Sequence, residues 1–315
     1  MREILIGEYI KNRRLDLGLT QEQVCEGVCT AATLSRLENN KQTPSRSIIN
    51  ALLNRLGLPG DRFFALLSEN EKTIQTLKKD IRAVQIQFDK ATGESQRQIR
   101  EQALEKLAEL GKITEADDAI TQQYILTTKI ALGTPNGPYS FSKQLDMLTD
   151  AIQLTIPRFE ISKLDHFRYN MAETQIVNQI ARAYSKAGKR KEAIDIYSRL
   201  LRCIEKNDRE LAGYAGQFCL VAHNYAINLA LNNQYEKAIE IAERGRVIGV
   251  KNGDYLFLPG FLAIQAECYY FMGEPEKSAK RYFQACYLYE VTDDEHNFAI
   301  IQRELYEHLG LRLPY

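Results

Sequence analysis

The sequence predicts an all-α protein made of a short N-terminal bundle of five helices and a longer array of helical hairpins. Three observations carry this. Residues 18–41 hold two short amphipathic helical segments around a tight turn. Residues 69–90 are polar and strongly helical, with no Gly or Pro. Three later segments repeat one spacing of small and aromatic residues.

In the head, a first helix runs over about residues 5–17, with Ile6, Tyr9, Ile10 and Arg13/Arg14 at helical spacing and Gly18 as its stop. Thr20 is a good N-cap, and Gln23 three residues later completes a capping box. The second helix is expected over about 21–28, the turn at Cys29-Thr30, and the third helix over about 31–39. Asn40 can take the left-handed conformation that ends it. Pro44 and Ser45 begin a fourth helix that closes at Gly57, and Pro59 opens a fifth ending near Leu67. Val24, Val28, Leu34, Leu37, Ile48, Leu52, Leu53, Leu56 and Phe63 form the expected core.

Residues 69–90 read as a linker helix or as the first helix of the second domain, and Gly93 breaks the pattern. The repeat then appears three times. It is Ala181-x2-Tyr184-x3-Gly188-x4-Ala193-x3-Tyr197, then Ala226, Leu229, Asn233, Ala238, Ala242, then Ala266, Tyr269, Gly273, Ser278, Tyr282. Each unit reads as helix, tight turn at Gly or Asn, helix. Small residues let paired helices approach, and aromatics fill the gaps. Residues 296–310 close the array as a capping helix, and 96–157 hold one or two degenerate repeats with an insertion at 134–138. The expected domains are therefore 1–67, a linker helix or repeat start at 68–94, and a repeat domain at 95–315.

Composition narrows the function. The chain has 315 residues, 44% apolar and 26% charged, ordinary for a two-domain globular protein. Its apolar N-terminal run is too short for a signal peptide, and no stretch approaches the roughly 18 apolar residues of a span. A cytoplasmic protein with no membrane partner is expected. Six cysteines, Cys25, Cys29, Cys203, Cys219, Cys268 and Cys286, lie in helical patterns and are expected as free thiols. Cys25 and Cys29 are four apart, but no second pair lies at zinc spacing, so neither metal nor cofactor is expected. Four scattered histidines without a nucleophile, and no phosphate-binding glycine pattern, argue against an enzyme. Net charge is zero, but residues 1–66 carry nine Lys/Arg against seven Asp/Glu. So slight a positive excess favours a dimer with two heads on duplex DNA.

The head resembles the phage-repressor and Cro class of helix-turn-helix domains, the XRE type, over about residues 4–66. Gly18-Leu19-Thr20-Gln21-Glu22, Leu34-Ser35-Arg36-Leu37-Glu38-Asn39 and Pro44 carry the likeness. The resemblance implies that Gln21 meets a phosphate and that Thr30, Ala31, Ala32, Thr33 and Arg36 form the exposed recognition face. Arg36 can grip guanine O6 and N7, and the alanines can touch thymine methyls. Lys41, Thr43 and Arg46 can reach phosphates. Arg14 and Glu38 match an internal ion pair; Glu38 as a base contact is the alternative, unfavourable because it sets an acid against DNA.

The repeat units resemble tetratricopeptide (TPR) repeats, which implies a right-handed TPR-like α-solenoid with a concave groove lined by the first helix of each unit. Gln175, Asn178 and Arg182, then His223, Asn224 and Ile227, then Glu267 and Tyr270 are the expected lining. Amides pair with a peptide backbone and Arg with a carboxylate; ordinary solvated helix positions are the alternative reading. The whole chain resembles the Rap–Rgg–NprR–PlcR–PrgX group of Gram-positive regulators. The likeness rests on Glu26-Gly27-Val28-Cys29 and on Leu154-Thr155-Ile156-Pro157 leading into Ala181, Tyr184, Gly188 and Ala193. That group implies cytoplasmic homodimers whose groove binds a short signalling peptide and so changes how two heads engage an operator. Two competing readings remain: the repeats dock a folded protein partner, or the head has lost DNA binding and the chain is a scaffold.

Overall fold

Capping side chains and left-handed turn residues mark several of the helix ends in the computed structural model, which describes residues 6–58, 69–115, 118–134, 137–207 and 213–313. Among these residues every regular element is helical, apart from an isolated bridge between Thr134 and Gly137. The head contains α1 (Ile6–Asp16), α2 (Gln21–Cys25), α3 (Ala31–Glu38) and α4 (Arg46–Arg55). The expected fifth helix at 59–67, with Phe63, lies outside the described residues. Then come α5 (Glu69–Lys90), α6 (Gly93–Ile113), α7 (Ala119–Leu132) and α8 (Phe141–Gln153). The remainder is α9 (Met171–Lys186), α10 (Arg190–Asn207), α11 (Tyr214–Ala230), α12 (Tyr235–Lys251), α13 (Leu258–Phe271), α14 (Pro275–Val291) and α15 (Glu295–Leu309).

The chain forms two compact units, residues 1–163 with 169–176, and residues 164–168 with 177–315. In the first, the head core is Ile10, Val24, Leu34, Leu37, Leu52, Leu53 and Leu56, each at most 1% exposed. Ile49 is buried where Ile48 was expected; Ile48 packs on the margin. The Thr20–Gln23 capping box is closed in both directions, at 3.2 and 2.8 Å. The second helix is shorter than expected and ends at Cys25. Gly27 explains this: its φ is +70°, and a Cβ there would overlap the Thr155 carbonyl. Tertiary contact, rather than helix propensity, places that turn. Arg55 from α4 donates to the Val24 carbonyl at 3.2 Å and to that of Glu26, capping the end of α2 from outside.

Further along the same unit, α5 packs on α6 through Leu77, Ile81, Ala103, Leu107 and Leu110, joined by Leu132 of α7. Gln123 of α7 donates to the Ala151 carbonyl at 2.9 Å and to the Thr155 hydroxyl at 2.7 Å. Thr155 is thereby held under Gly27.

In the second unit α11, α12, α13, α14 and α15 each pack on the next. The three repeat turns share one device: Gly188, Asn233 and Gly273 have φ of +78°, +58° and +73°. The left-handed residue ends one helix and turns the chain into its partner. The repeat's small positions, Ala181, Ala193, Ala226, Ala238, Ala242, Ala266 and Ser278, are all fully buried. Ser278 Oγ donates to the Ala266 carbonyl at 2.8 Å, so the third unit uses a hydroxyl where the others use a methyl.

Candidate functional site

The face of α3 is held from behind by a buried polar cluster. Arg14 Nε and Nη2 donate to the two Glu38 carboxylate oxygens at 2.6 and 2.9 Å, a bidentate pair. Arg14 Nη1 donates to the Leu19 carbonyl at 2.9 Å, and Gln21 Nε2 donates to Glu38 Oε2 at 2.7 Å. Arg14 and Glu38 are 8% and 3% exposed, so neither is available to a base edge. Hydrogen bonding to Glu38 raises the Arg14 pKa further, despite burial acting against it. The cluster ties α1, the start of α2 and the end of α3 into one body.

Outward on α3, Thr30 at the N-cap is exposed, and Ala31 and Thr33 are half-buried. Ala32 and Arg36 are exposed, one turn apart. Arg36 has only a long 3.5 Å contact to the Gln42 amide, which leaves its guanidinium available. Thr30 is the N-cap: its hydroxyl accepts from the Thr33 backbone at 3.1 Å and meets the Thr33 hydroxyl at 2.9 Å. Ala31 departs from the expected exposed face. It packs on the head core with Leu34, because positions three apart share one side of a helix. Gln21 departs too: its amide nitrogen points inward to Glu38 rather than standing free for a phosphate. Lys41 and Thr43 are exposed beyond Asn40, whose φ of +56° ends the helix. Arg46 opens α4; its side chain lies outside what is described.

On the repeat helices, Asn178 and Asn224 come together, with Asn224 Nδ2 donating to Asn178 Oδ1 at 3.1 Å. Asn224 also donates to the Leu220 carbonyl at 3.0 Å, and Asn228 Nδ2 donates to the Asn224 carbonyl at 2.8 Å. The buried Asn228 Oδ1 has no partner among the described residues. Arg182 is exposed one turn beyond Asn178, and Ile227 is half-buried. Gln175 is exposed on α9.

His223 is half-buried and packs against aromatic neighbours. Its ring lies 5.2 Å from Phe257 and 5.7 Å from Phe261, and a Cβ on Gly260 would strike it. Burial among these groups lowers its pKa to about 4, so it is a neutral packing residue. Tyr270 stacks on His308 at 4.2 Å, and His308 Nδ1 meets the Tyr282 hydroxyl at 2.7 Å. Burial raises the carboxyl pKa of Glu267, and burial followed by the Glu267 charge raises that of Glu304. Sequence reasoning missed Arg55, Glu173 and His308. None lies at a motif spacing, and each acts through a partner distant in the chain.

A head with an outward recognition helix, followed by an array of paired helices, has the layout of a helix-turn-helix regulator. The chain belongs to the RNPP family: the family's C-terminal domain matches residues 144–309, more than half the chain, and a helix-turn-helix domain matches residues 5–66. Among solved structures, Bacillus thuringiensis PlcR in complex with the peptide PapR7 and DNA is similar at 18% identity and TM-score 0.60, covering 94% of this chain and 98% of that one. The apo competence regulator ComR from Streptococcus vestibularis is similar at 15% identity and TM-score 0.51, covering 96% and 98%. The Streptococcus dysgalactiae SHP pheromone receptor Rgg2(C45S) is similar at 13% identity and TM-score 0.51, covering 97% and 100%. At these identities the likeness is one of fold. No curated protein sequence matches closely enough to count as a relative. No helix among the described residues is long and apolar enough to cross a membrane.

Proposed function

We propose that this protein is a cytoplasmic homodimer that binds an operator through α3 and is controlled by a short peptide on the repeat helices. One observation carries the reading. The Arg14–Glu38–Gln21 cluster rigidly presents Arg36, while in the other unit an asparagine cluster ends in a buried, unpartnered acceptor, Asn228 Oδ1. Arg36 supplies base recognition; Ala32 supplies apolar contact; Lys41, Thr43 and Arg46 supply phosphate contacts. Asn178, Asn224 and Arg182 receive the peptide, the amides matching its backbone and the guanidinium a carboxylate.

The peptide acts by binding one dimer conformation better than another. A hundredfold change in operator affinity corresponds to about 2.7 kcal/mol of coupling. The quantity under control is the separation of two recognition helices, which must reach major grooves about 34 Å apart. The test is selection of bound duplexes from a random library by the full-length chain, then mobility shift at fixed salt. It is repeated with low-molecular-mass and high-molecular-mass fractions of host culture filtrate. Operator affinity that changes only with the low-mass fraction supports the reading; a response confined to the high-mass fraction supports docking of a protein instead.

A further inference from the structure

A cavity lies away from the asparagine cluster. It measures about 380 Å³ and sits among α12, α13 and α14. Leu258, Leu262 and Leu288 give it apolar walls, and Arg246, Arg281 and Gln284 bring three polar groups to it. The volume falls in the range of small-molecule sites, and this mix of apolar walls with few convergent polar groups is their usual chemistry. On α13, Leu258 and Leu262 stand about 160° around the axis from Glu267, so this is a different face from the one assigned to peptide.

The two arginines are not equivalent. Arg246 is neutralised by Glu243, with its Nε and Nη2 donating to the carboxylate at 2.8 and 2.5 Å. Gln265 Nε2 donates to the same carboxylate at 3.0 Å. Glu243 is therefore saturated. Arg281 Nη1 donates at 3.0 Å to the Gln284 amide oxygen; its charge helps lower the Glu243 pKa, but after Arg246 and without a direct ion pair among the described residues. A half-buried guanidinium that shares Glu243 only at a distance, and lines a cavity with leucine walls, is complementary to an anion with an apolar body.

We propose that this cavity is a binding site for a small amphiphilic carboxylate. The carboxylate pairs with Arg281 and accepts from the Gln284 amide nitrogen, and the aliphatic body lies along Leu258, Leu262 and Leu288. The site couples to the repeat array because its walls come from three successive helices, and filling it fixes their spacing.

The test is calorimetric titration of the full-length chain with sodium decanoate and, separately, with decan-1-ol. Saturable decanoate binding is expected, at least about tenfold tighter than decanol, since only the acid engages the guanidinium. Arg281→Gln should weaken decanoate at least about tenfold and abolish the preference over decanol. Val250 of α12 also lines the cavity, and Val250→Trp, which fills it without changing charge, should weaken both ligands. Lys280→Gln, an exposed cation on the same helix, should change neither. Thermal melts confirm that each variant is folded. The proposal is overturned if the native chain shows no saturable uptake at about 1 mM decanoate. It is equally overturned if folded Arg281→Gln and Val250→Trp chains bind as the native one does, or if Lys280→Gln weakens decanoate as much as Arg281→Gln.

Discussion

Arg55 Nη2 lies 3.3 Å from Glu173 Oε1, across 118 residues of chain, with both side chains at most 5% exposed. The same guanidinium caps the carbonyls at the end of α2. Glu173 in turn accepts from the Asn170 backbone at 2.8 Å at the start of α9. One buried cation thus joins the helix-turn-helix to the first turn of α9.

Removing either partner leaves a buried charge uncompensated. Arg55→Met or Glu173→Gln should each destabilise by about 3–5 kcal/mol, and the double substitution by less than the sum. Urea denaturation of the four proteins measures this; strictly additive losses would show that the pair is not coupled.

Gly27→Ala should disrupt the same junction by a different route. The substitution forces an L-residue into φ of +70° and drives a methyl into the Thr155 carbonyl. The conformational penalty alone is about 1–2 kcal/mol, and the clash adds to it. Hydrogen exchange should show protection lost first around residues 24–30 and 152–156; uniform loss would refute a local effect.

On the recognition helix, Arg36→Ala should weaken operator binding by about 1–3 kcal/mol and relax preference at one base pair, with the melting temperature unchanged. Arg14→Met should instead lower the melting temperature, because the buried Glu38 charge loses its counter-ion. Mobility shifts at one salt concentration, paired with thermal melts, separate the two. Equal effects of both substitutions on stability would contradict the assignment.

His223 predicts a pH dependence. Its folded pKa of about 4 lies below the ordinary histidine value, so below about pH 6.5 the unfolded chain takes up a proton that the native one refuses. The neutral ring's contribution is complete above that value and is lost as pH falls toward 4. Between pH 7 and pH 5 the loss is on the order of 1–2 kcal/mol. Comparing native and His223→Leu chains isolates this from Glu267 and Glu304, whose raised pKa values act with the opposite sign. Parallel stability–pH curves for the two proteins would refute it.

The asparagine cluster predicts a ligand effect. Asn178→Ala and Asn224→Ala should each weaken peptide response about tenfold, and together by less than the product, because the two side chains hydrogen-bond one another. Dose–response curves for operator binding measure this; full independence would place the two residues in separate sites.

Local chemistry made much of this readable along the chain. The Thr20–Gln23 box, the left-handed residues at 188, 233 and 273, and the alternation of small and aromatic positions act within a turn or two. Their consequences therefore do not depend on what packs later. Arg14–Glu38 was readable only through a familiar pattern, since 24 residues separate them. On the recognition face Thr30 is exposed as expected, while Ala31 packs partly on the core and the Gln21 amide turns to Glu38, contacts that spacing alone does not show.

Helix type, turn positions and the kind of domain arise from short-range forces, namely propensity, capping and apolar period, and a linear string carries these in full. Which polar groups end up free is a different kind of fact. Arg55 finds Glu173, His223 packs beside two phenyl rings, and Arg281 is left with an amide as its direct partner while Arg246 takes the carboxylate. Each outcome depends on helices converging in space and on which charges that convergence strips of water, and spacing along the chain does not encode it.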